Sequence, residues 1–163
     1  MKVPTAVAVA WLSDSSRRLF GVSRSLATNT GAPRLEGWHL FLGAARMNRS
    51  ATGRSIPTQA RVLLANTPGP HGDGKKGSNQ LFLQISPALK EACCSIAESS
   101  GLIRPEELLS HVFKTDSGTR ALLGSILGKR LLASLGERLL LREFNVDERK
   151  KILRLRKYFQ GER

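Results

Sequence analysis

The chain has 163 residues, of which 26 are Lys or Arg and 13 are Asp or Glu, so its formal net charge is +13. This length predicts one domain, or one small domain with an extended arm. Excess positive charge repels itself in a compact chain, and a polyanion such as nucleic acid relieves that repulsion. No run of eighteen apolar residues occurs, so we expect no membrane-spanning helix.

Aromatic residues are scarce, at 6% of the chain. Proteins that read single-stranded nucleic acid stack the bases on aromatic side chains close to their basic residues. Here the aromatic side chains stand mostly at apolar positions. The composition therefore favours Arg and Lys contacts to a phosphate backbone over the recognition of individual bases.

The first thirty residues are rich in Ser, Ala and Thr and contain one acid, Asp14. In helical projection they combine an apolar face with adjacent basic residues, which is typical of a mitochondrial transit peptide. A secretory signal, with residues 3–12 as a short apolar core, is the alternative. The apolar residues are Val9, Leu12, Leu19 and Phe20, and the basic ones are Lys2, Arg17, Arg18 and Arg24.

Residues 31–80 predict a basic, Gly- and Pro-rich arm that is largely irregular. Only two pieces, 38–47 and 59–65, have the pattern of a short element, and the first fits a helix or a strand. Such a chain buries little apolar surface, so we expect it to be disordered or to order against a partner. Its candidate RNA contacts are Arg46, Arg49, Arg54, Arg61, Lys75 and Lys76.

Residues 81–163 predict a helical domain. Ser86 before Pro87 is a good helix start, and Gly101 is placed to end that helix. A second helix should run from Pro105 to about Phe113. The third should span 119–144, because leucines recur at every fourth position from 123 to 139 and form a wide apolar stripe. Three glycines, Gly124, Gly128 and Gly136, should allow close helix approach, and Gly136 is the candidate for dividing this helix.

A last helix, predicted over residues 146–160, carries the densest positive charge. Ile152, Leu155 and Phe159 supply a docking face at helical spacing. The solvated end of an ordinary helix is the alternative, since basic residues suit that end of the helix dipole. Six basic residues within nine positions favour RNA contact: Arg149, Lys150, Lys151, Arg154, Arg156 and Lys157.

No set of side chains predicts catalysis, so we expect no enzyme activity, no cofactor and no metal. Glu106 and Glu107 are adjacent on a helix and diverge. Lys76 is followed by Gly77, which lacks the hydroxyl that a Walker loop requires. The neighbouring thiols Cys93 and Cys94 are expected to be free and half-buried.

The stretch LLSHVFKTDSGTRALLGSILGKRLL, residues 108–132, resembles the first helices of ribonuclease III-like domains. Leu123 and Gly124 match the Leu-Gly of that family's acidic signature. Ser125 stands where the metal-binding Asp would be, and Ala121 replaces a signature Glu. The resemblance therefore implies a catalytically inactive member of the fold.

The chain as a whole resembles mitochondrial ribosomal proteins as a class, in its leader-like start, its basic arm and its helical domain with a basic end. The resemblance implies a structural RNA-binding component of the mitochondrial ribosome in the matrix, with ribosomal RNA and neighbouring ribosomal proteins as partners. One alternative is an RNA-processing or ribosome-assembly factor with an inactive nuclease-like domain. A second is a helical adaptor that binds a protein partner. The fold class that we predict is mainly α.

Overall fold

The structure is a computed structural model that describes residues 11–47, 50–67 and 84–143, with side chains up to residue 139. These residues form helices and contain no sheet, which confirms the mainly α prediction. The seven described helices are α1 (Asp14–Asn29), α2 (Gly37–Arg46), α3 (Ala51–Arg54), α4 (Thr58–Ala65), α5 (Pro87–Ser100), α6 (Pro105–Thr115) and α7 (Ser117–Glu143).

The first helix, α1, is part of the core. The Oγ of Ser13 caps it by accepting a hydrogen bond from the Ser16 backbone N–H at 3.1 Å. Leu19 and Phe20 are buried on its inner face, 0% and 5% exposed, and α1 packs mainly on α2. Residues that resemble a leader in the sequence thus lie in a core helix. Their role as a transit peptide stays a prediction.

Two isolated parallel bridges connect distant parts of the chain, Leu12 with Ile103 and Leu35 with Ile85. In the first, the Ser13 N–H donates to the Ile103 carbonyl at 3.0 Å, and the Ile103 N–H donates to the Trp11 carbonyl at 2.9 Å. These bonds anchor the start of α1 to the segment between α5 and α6.

Residues 32–47 and 50–67 differ from the irregular arm that the sequence predicts, because they form α2, α3 and α4. Most of their apolar side chains are buried, although Val62 and Leu63 are exposed. Gly37 and Gly43 belong to the Gly-rich composition from which the arm was predicted, but both stand where other elements come close. A Cβ at Gly37 would lie 2.6 Å from Thr119 Oγ1, and one at Gly43 would collide with Ser23 Oγ. Most of the Gly- and Pro-rich run, residues 68–80, lies outside the described residues.

The second half of the chain follows the predicted helix limits closely. Ser86 caps α5 through its Oγ, Pro87 is the first helical residue and Gly101 ends the helix. The start of α6 at Pro105 is also as predicted, and the helix extends to Thr115. The predicted terminal helix over residues 146–160 lies outside the described residues.

The long helix α7 is interrupted at Gly128, whose backbone has φ 80° and ψ 167°. Only glycine adopts that conformation readily. The interpretation of Gly136 as the dividing residue was wrong, because a Cβ there would lie 2.9 Å from the Phe113 ring, which marks close packing of α7 against α6. On both sides of the break the inner leucines remain buried.

Every described helix except the short α3 contributes apolar side chains to one hydrophobic core. The largest fully buried side chains include Phe41 of α2, Leu64 of α4, Leu108 of α6 and Leu123 of α7. Helix α2 contacts α1, α4, α6 and α7. The helices before and after residue 81 therefore share the same apolar interior.

Candidate nucleic-acid interface

Arg46, at the end of α2, is turned toward backbone carbonyls. Its Nη1 donates to the carbonyls of Leu42 at 2.9 Å and Leu64 at 3.3 Å, and its Nη2 donates to that of Thr67 at 3.1 Å. The last four carbonyls of a helix have no partner within the helix, and Leu64 is one of these in α4, so the guanidinium caps α4 and connects it to α2. Burial also lowers the pKa of Arg46 from its usual value. The geometry gives Arg46 a structural task.

Arg54 and Arg138 meet at the outer edge of α3 and α7. Arg138 Nη1 donates to the Arg54 carbonyl at 3.2 Å, and both side chains are exposed. Arg54 is the last residue of α3 and precedes α4 by a short turn. The structure thus places a predicted RNA-binding residue beside a basic residue of α7 that our sequence analysis had not selected.

Arg61 lies one turn into α4 and is half-buried. Its Nη2 makes a long 3.4 Å hydrogen bond to Thr58 Oγ1 of the same helix. Helix α4 packs against both α2 and α7. Of the predicted RNA contacts in the described residues, Arg54 is exposed and Arg61, seven residues later in the chain, is half-buried.

The remaining predicted contacts lie outside the described residues. They are Arg49, Lys75, Lys76 and the six basic residues of the C-terminal segment, Arg149, Lys150, Lys151, Arg154, Arg156 and Lys157. Their contact with RNA stays a prediction. Arg138 lies five residues before Glu143, the last residue of α7 and the last that the structure describes.

The outer face of α1 is a basic surface that sequence analysis attributed to a leader. Arg17, Arg18 and Arg24 are exposed, with the exposed Gly21 between them. At 100° per residue, positions 17, 21, 24 and 28 line one stripe of the helix. The one acid of the helix, Asp14, stands at its N-terminal end, where a carboxylate suits the helix dipole. The sequence does contain a signal for this arrangement, because the apolar residues of α1 share one face of the helix, as they do in a helix that packs against a core.

The titratable groups with large pKa shifts are buried in the core and face away from solvent. His39 is 1% exposed, and burial lowers its pKa to about 4. Its Nδ1 accepts the Glu36 backbone N–H at 2.9 Å, so Nε2 carries the proton of the neutral ring. Within the described residues Nε2 is buried without a hydrogen-bond partner, as are Trp38 Nε1 and Ser23 Oγ.

The cysteines fit a structural role. Neither cysteine forms a disulfide, and Cys93 is 1% exposed, which is more deeply buried than expected, whereas Cys94 is partly exposed. Burial, reinforced by the neighbouring Cys94, raises the pKa of Cys93 to about 12. A thiol with such a pKa stays protonated at neutral pH and is a poor nucleophile.

The nuclease-like segment presents no acidic cluster in the described part of the chain. Ser125 is exposed and donates to the Leu122 carbonyl at 2.7 Å, and Ala121 is exposed beside it. Across the described residues no three His, Cys, Asp or Glu side chains stand close enough to share a metal ion. A search of the same residues for a helix with the length and hydropathy of a membrane span found none.

Comparisons of the chain with models of protein families, with curated proteins and with solved structures found no match.

Proposed function

We propose that this protein is a structural RNA-binding component of the mitochondrial ribosome, with ribosomal RNA and neighbouring ribosomal proteins as its partners. The observation that carries the proposal is the placement of its charge. Every Lys and Arg side chain that the structure describes is exposed, except those of Arg46 and Arg61. A folded helical core thus presents a net positive surface, as phosphate-backbone binding requires.

The proposed interface lies on the α3, α4 and α7 side of the fold. Arg54 and Arg61 contribute from the described residues, and Arg49, Lys75 and Lys76 precede or follow them in the chain. The six basic residues of the C-terminal segment add the largest share of charge. Each phosphate that a basic side chain neutralises releases condensed counterions, so the affinity should fall steeply with salt.

The first test replaces Arg149, Lys150, Lys151, Arg154, Arg156 and Lys157 with Gln. Binding to a fluorescent rRNA fragment should weaken by at least about tenfold at moderate salt, and the slope of log K against log salt should flatten by several units. A matched control exchanges Lys for Arg and Arg for Lys at the same positions. Because that control keeps the charge, its slope should stay close to that of the wild type. Unchanged binding by the Gln variant would contradict the assigned role of the segment.

The alternative of an RNA-processing or assembly factor is favoured by the nuclease-like segment, in which Ser125 and Ala121 replace acids. Sedimentation of mitochondrial extracts separates the two functions. A structural protein stays with mature ribosomal particles, whereas an assembly factor is found only with precursors.

Treatment with RNase distinguishes the proposed function from the second alternative, a helical adaptor that binds a protein partner. Loss of particle association after RNase treatment, with anionic liposomes having no effect, would support RNA binding and exclude the adaptor. Matrix localisation follows from the same proposal, and protease protection of the protein inside intact mitochondria tests it.

A further inference from the structure

The basic face of α1 is distinct from the interface proposed above. Residues 15–35 contain no acid, and three of their arginines, Arg17, Arg18 and Arg24, are exposed on one helix. A rise of 1.5 Å per residue separates the Cα atoms of Arg17 and Arg24 by about 10 Å along the axis. Arg17 and Arg24 thus stand on one stripe of the helix about two turns apart, and Arg18 lies about 100° around the helix axis from Arg17.

The same face of α1 also carries only small side chains between its arginines. Gly21 stands between the two turns that carry the arginines, and a Cβ built at Gly21 meets no atom within 4 Å. The hydroxyl of Ser25 donates back to the Gly21 carbonyl at 3.1 Å and therefore lies close to the helix surface. A nucleic-acid backbone can approach this helix between its arginines without meeting a large side chain.

The packing of α1 distinguishes RNA from a membrane as the partner. Helices that bind bilayers insert an apolar face between the headgroups. In α1 that face is already buried, since Leu19 and Ala27 are 0% exposed and Phe20 is 5% exposed. What remains for a partner is charge and hydroxyl groups, which suit phosphates that do not require insertion.

We infer that the exposed face of α1, through Arg17, Arg18 and Arg24, is a second phosphate-binding surface that contacts an RNA backbone. The inference rests on the proposed function, because it assigns a further surface to the same RNA. It also gives these arginines a use in the folded protein, independent of any role in targeting. Three neutralised phosphates correspond to a slope of about −3 in log K against log salt for a duplex.

The test compares two triple variants of the full chain. In the first, Arg17, Arg18 and Arg24 are replaced by Gln. In the control, the exposed residues Lys90 of α5, Arg104 immediately before α6 and Arg120 of α7 are replaced by Gln, which removes the same formal charge. Both sets have acidic residues nearby in sequence, Asp14 for the α1 arginines and Glu91 and Glu106 for the control, so the two variants differ in where charge is removed and not in how much.

Binding to a short fluorescent RNA duplex is measured from low to physiological salt, with thermal unfolding as a check on folding. The α1 variant should bind about tenfold more weakly and lose two to three units of salt slope. The control should lose less than one unit. Equal losses in the two variants would overturn the inference, because they would reflect net charge alone.

Two further outcomes separate the possible failures. If the wild-type protein does not bind the duplex even at low salt, the proposed function itself is contradicted. Wild-type binding with an unaltered slope in the α1 variant would overturn only the inference. The last measurement is binding to vesicles that contain anionic phospholipid. If the α1 variant lost vesicle binding but retained RNA binding, the surface would be assigned to a membrane, and the assignment to RNA would be overturned.

Discussion

Gly21 and Gly128 are exposed helical glycines that have open space where a Cβ would stand. Their backbones differ, because Gly21 is a regular residue of α1 and Gly128 has a φ of 80°. Gly21→Ala should raise the free energy of unfolding by about 0.5–1 kcal/mol, since alanine has the higher helix propensity. Gly128→Ala should lower it by about 1–3 kcal/mol through backbone strain.

Urea titrations of both variants measure the two shifts. Because neither new methyl group meets an atom, each variant serves as the steric control for the other. Two shifts of the same sign would contradict the break in α7.

His39 predicts a pH dependence of stability. Burial lowers its pKa to about 4 in the folded chain, against about 6.5 in the unfolded one. The unfolded chain therefore binds more protons between these values, and the stability associated with the neutral ring falls as the pH drops through that window. The expected loss is about 3 kcal/mol by pH 4.

The variant His39→Gln isolates this contribution from that of the carboxylates. The difference in unfolding free energy between the wild type and the variant should shrink from pH 7 to pH 4, as measured by denaturant unfolding. A difference that stays constant over that range would show that His39 does not titrate as its burial predicts.

At the scale of helices, Arg46 connects the C-terminal ends of α2 and α4 through three carbonyls. Arg46→Met keeps most of the side-chain volume but removes these hydrogen bonds, so it should lower the free energy of unfolding by about 1–3 kcal/mol. Arg61→Met is the control, since its 3.4 Å bond to Thr58 is weak and its replacement should change stability by no more than about 0.5 kcal/mol.

RNA binding should respond in the opposite order. Arg61→Met should weaken binding measurably, while Arg46→Met, assayed where it remains folded, should leave it nearly unchanged. Titrations of the rRNA fragment beside the unfolding curves provide both readouts. If the folded Arg46→Met variant bound RNA more weakly than Arg61→Met, Arg46 would have to be assigned to the RNA interface.

Helix limits that depend on local chemistry could be predicted from the sequence. Ser86, Pro87 and Gly101 act within a few residues of their own positions, and the structure confirms all three. Gly37 and Gly43 could not be interpreted in this way. Their neighbours Thr119 and Ser23 are distant in sequence, so a glycine that permits close packing is indistinguishable locally from one that breaks a helix.

In the candidate interface, too, some features follow from the sequence and others depend on tertiary packing. Composition predicts that basic side chains dominate the surface, and their exposure in the described helices agrees with it. The burial of each basic side chain depends on tertiary packing, because Arg46 is partly buried against backbone carbonyls whereas Arg54 is exposed. The α1 arginines were noticed for their pattern, but only packing shows that their helix is part of the core.

For the molecule as a whole, α1 predicts the effect of removing the leader-like residues. Deletion of residues 1–30 takes Leu19 and Phe20 out of the core, and burial of such side chains contributes roughly 1.5–3 kcal/mol each. With Leu12 and Ala27 also lost, the total approaches the entire stability of a typical domain. We therefore expect no cooperative thermal transition from this deletion.

Deletion of residues 1–10 is the matched control, because it leaves α1 and its cap at Ser13 intact. This protein should unfold cooperatively, as followed by circular dichroism. A cooperative transition of the longer deletion at the temperature of the full chain would contradict the place of α1 in the core.

The pairing of Leu12 with Ile103 also has a kinetic consequence. Helices α1 and α2 are neighbours in sequence and can associate as soon as both have been made, whereas Ser13 must wait for a carbonyl ninety residues later. Closing a loop of that length costs about 4 kcal/mol of chain entropy, which only the packing of the intervening helices can offset. Trp11 and Ser13 therefore reach these hydrogen bonds only after α1 to α5 have been synthesised. In a chain that emerges N-terminus first, the start of α1 is held by its packing on α2 alone until Ile103 has been made.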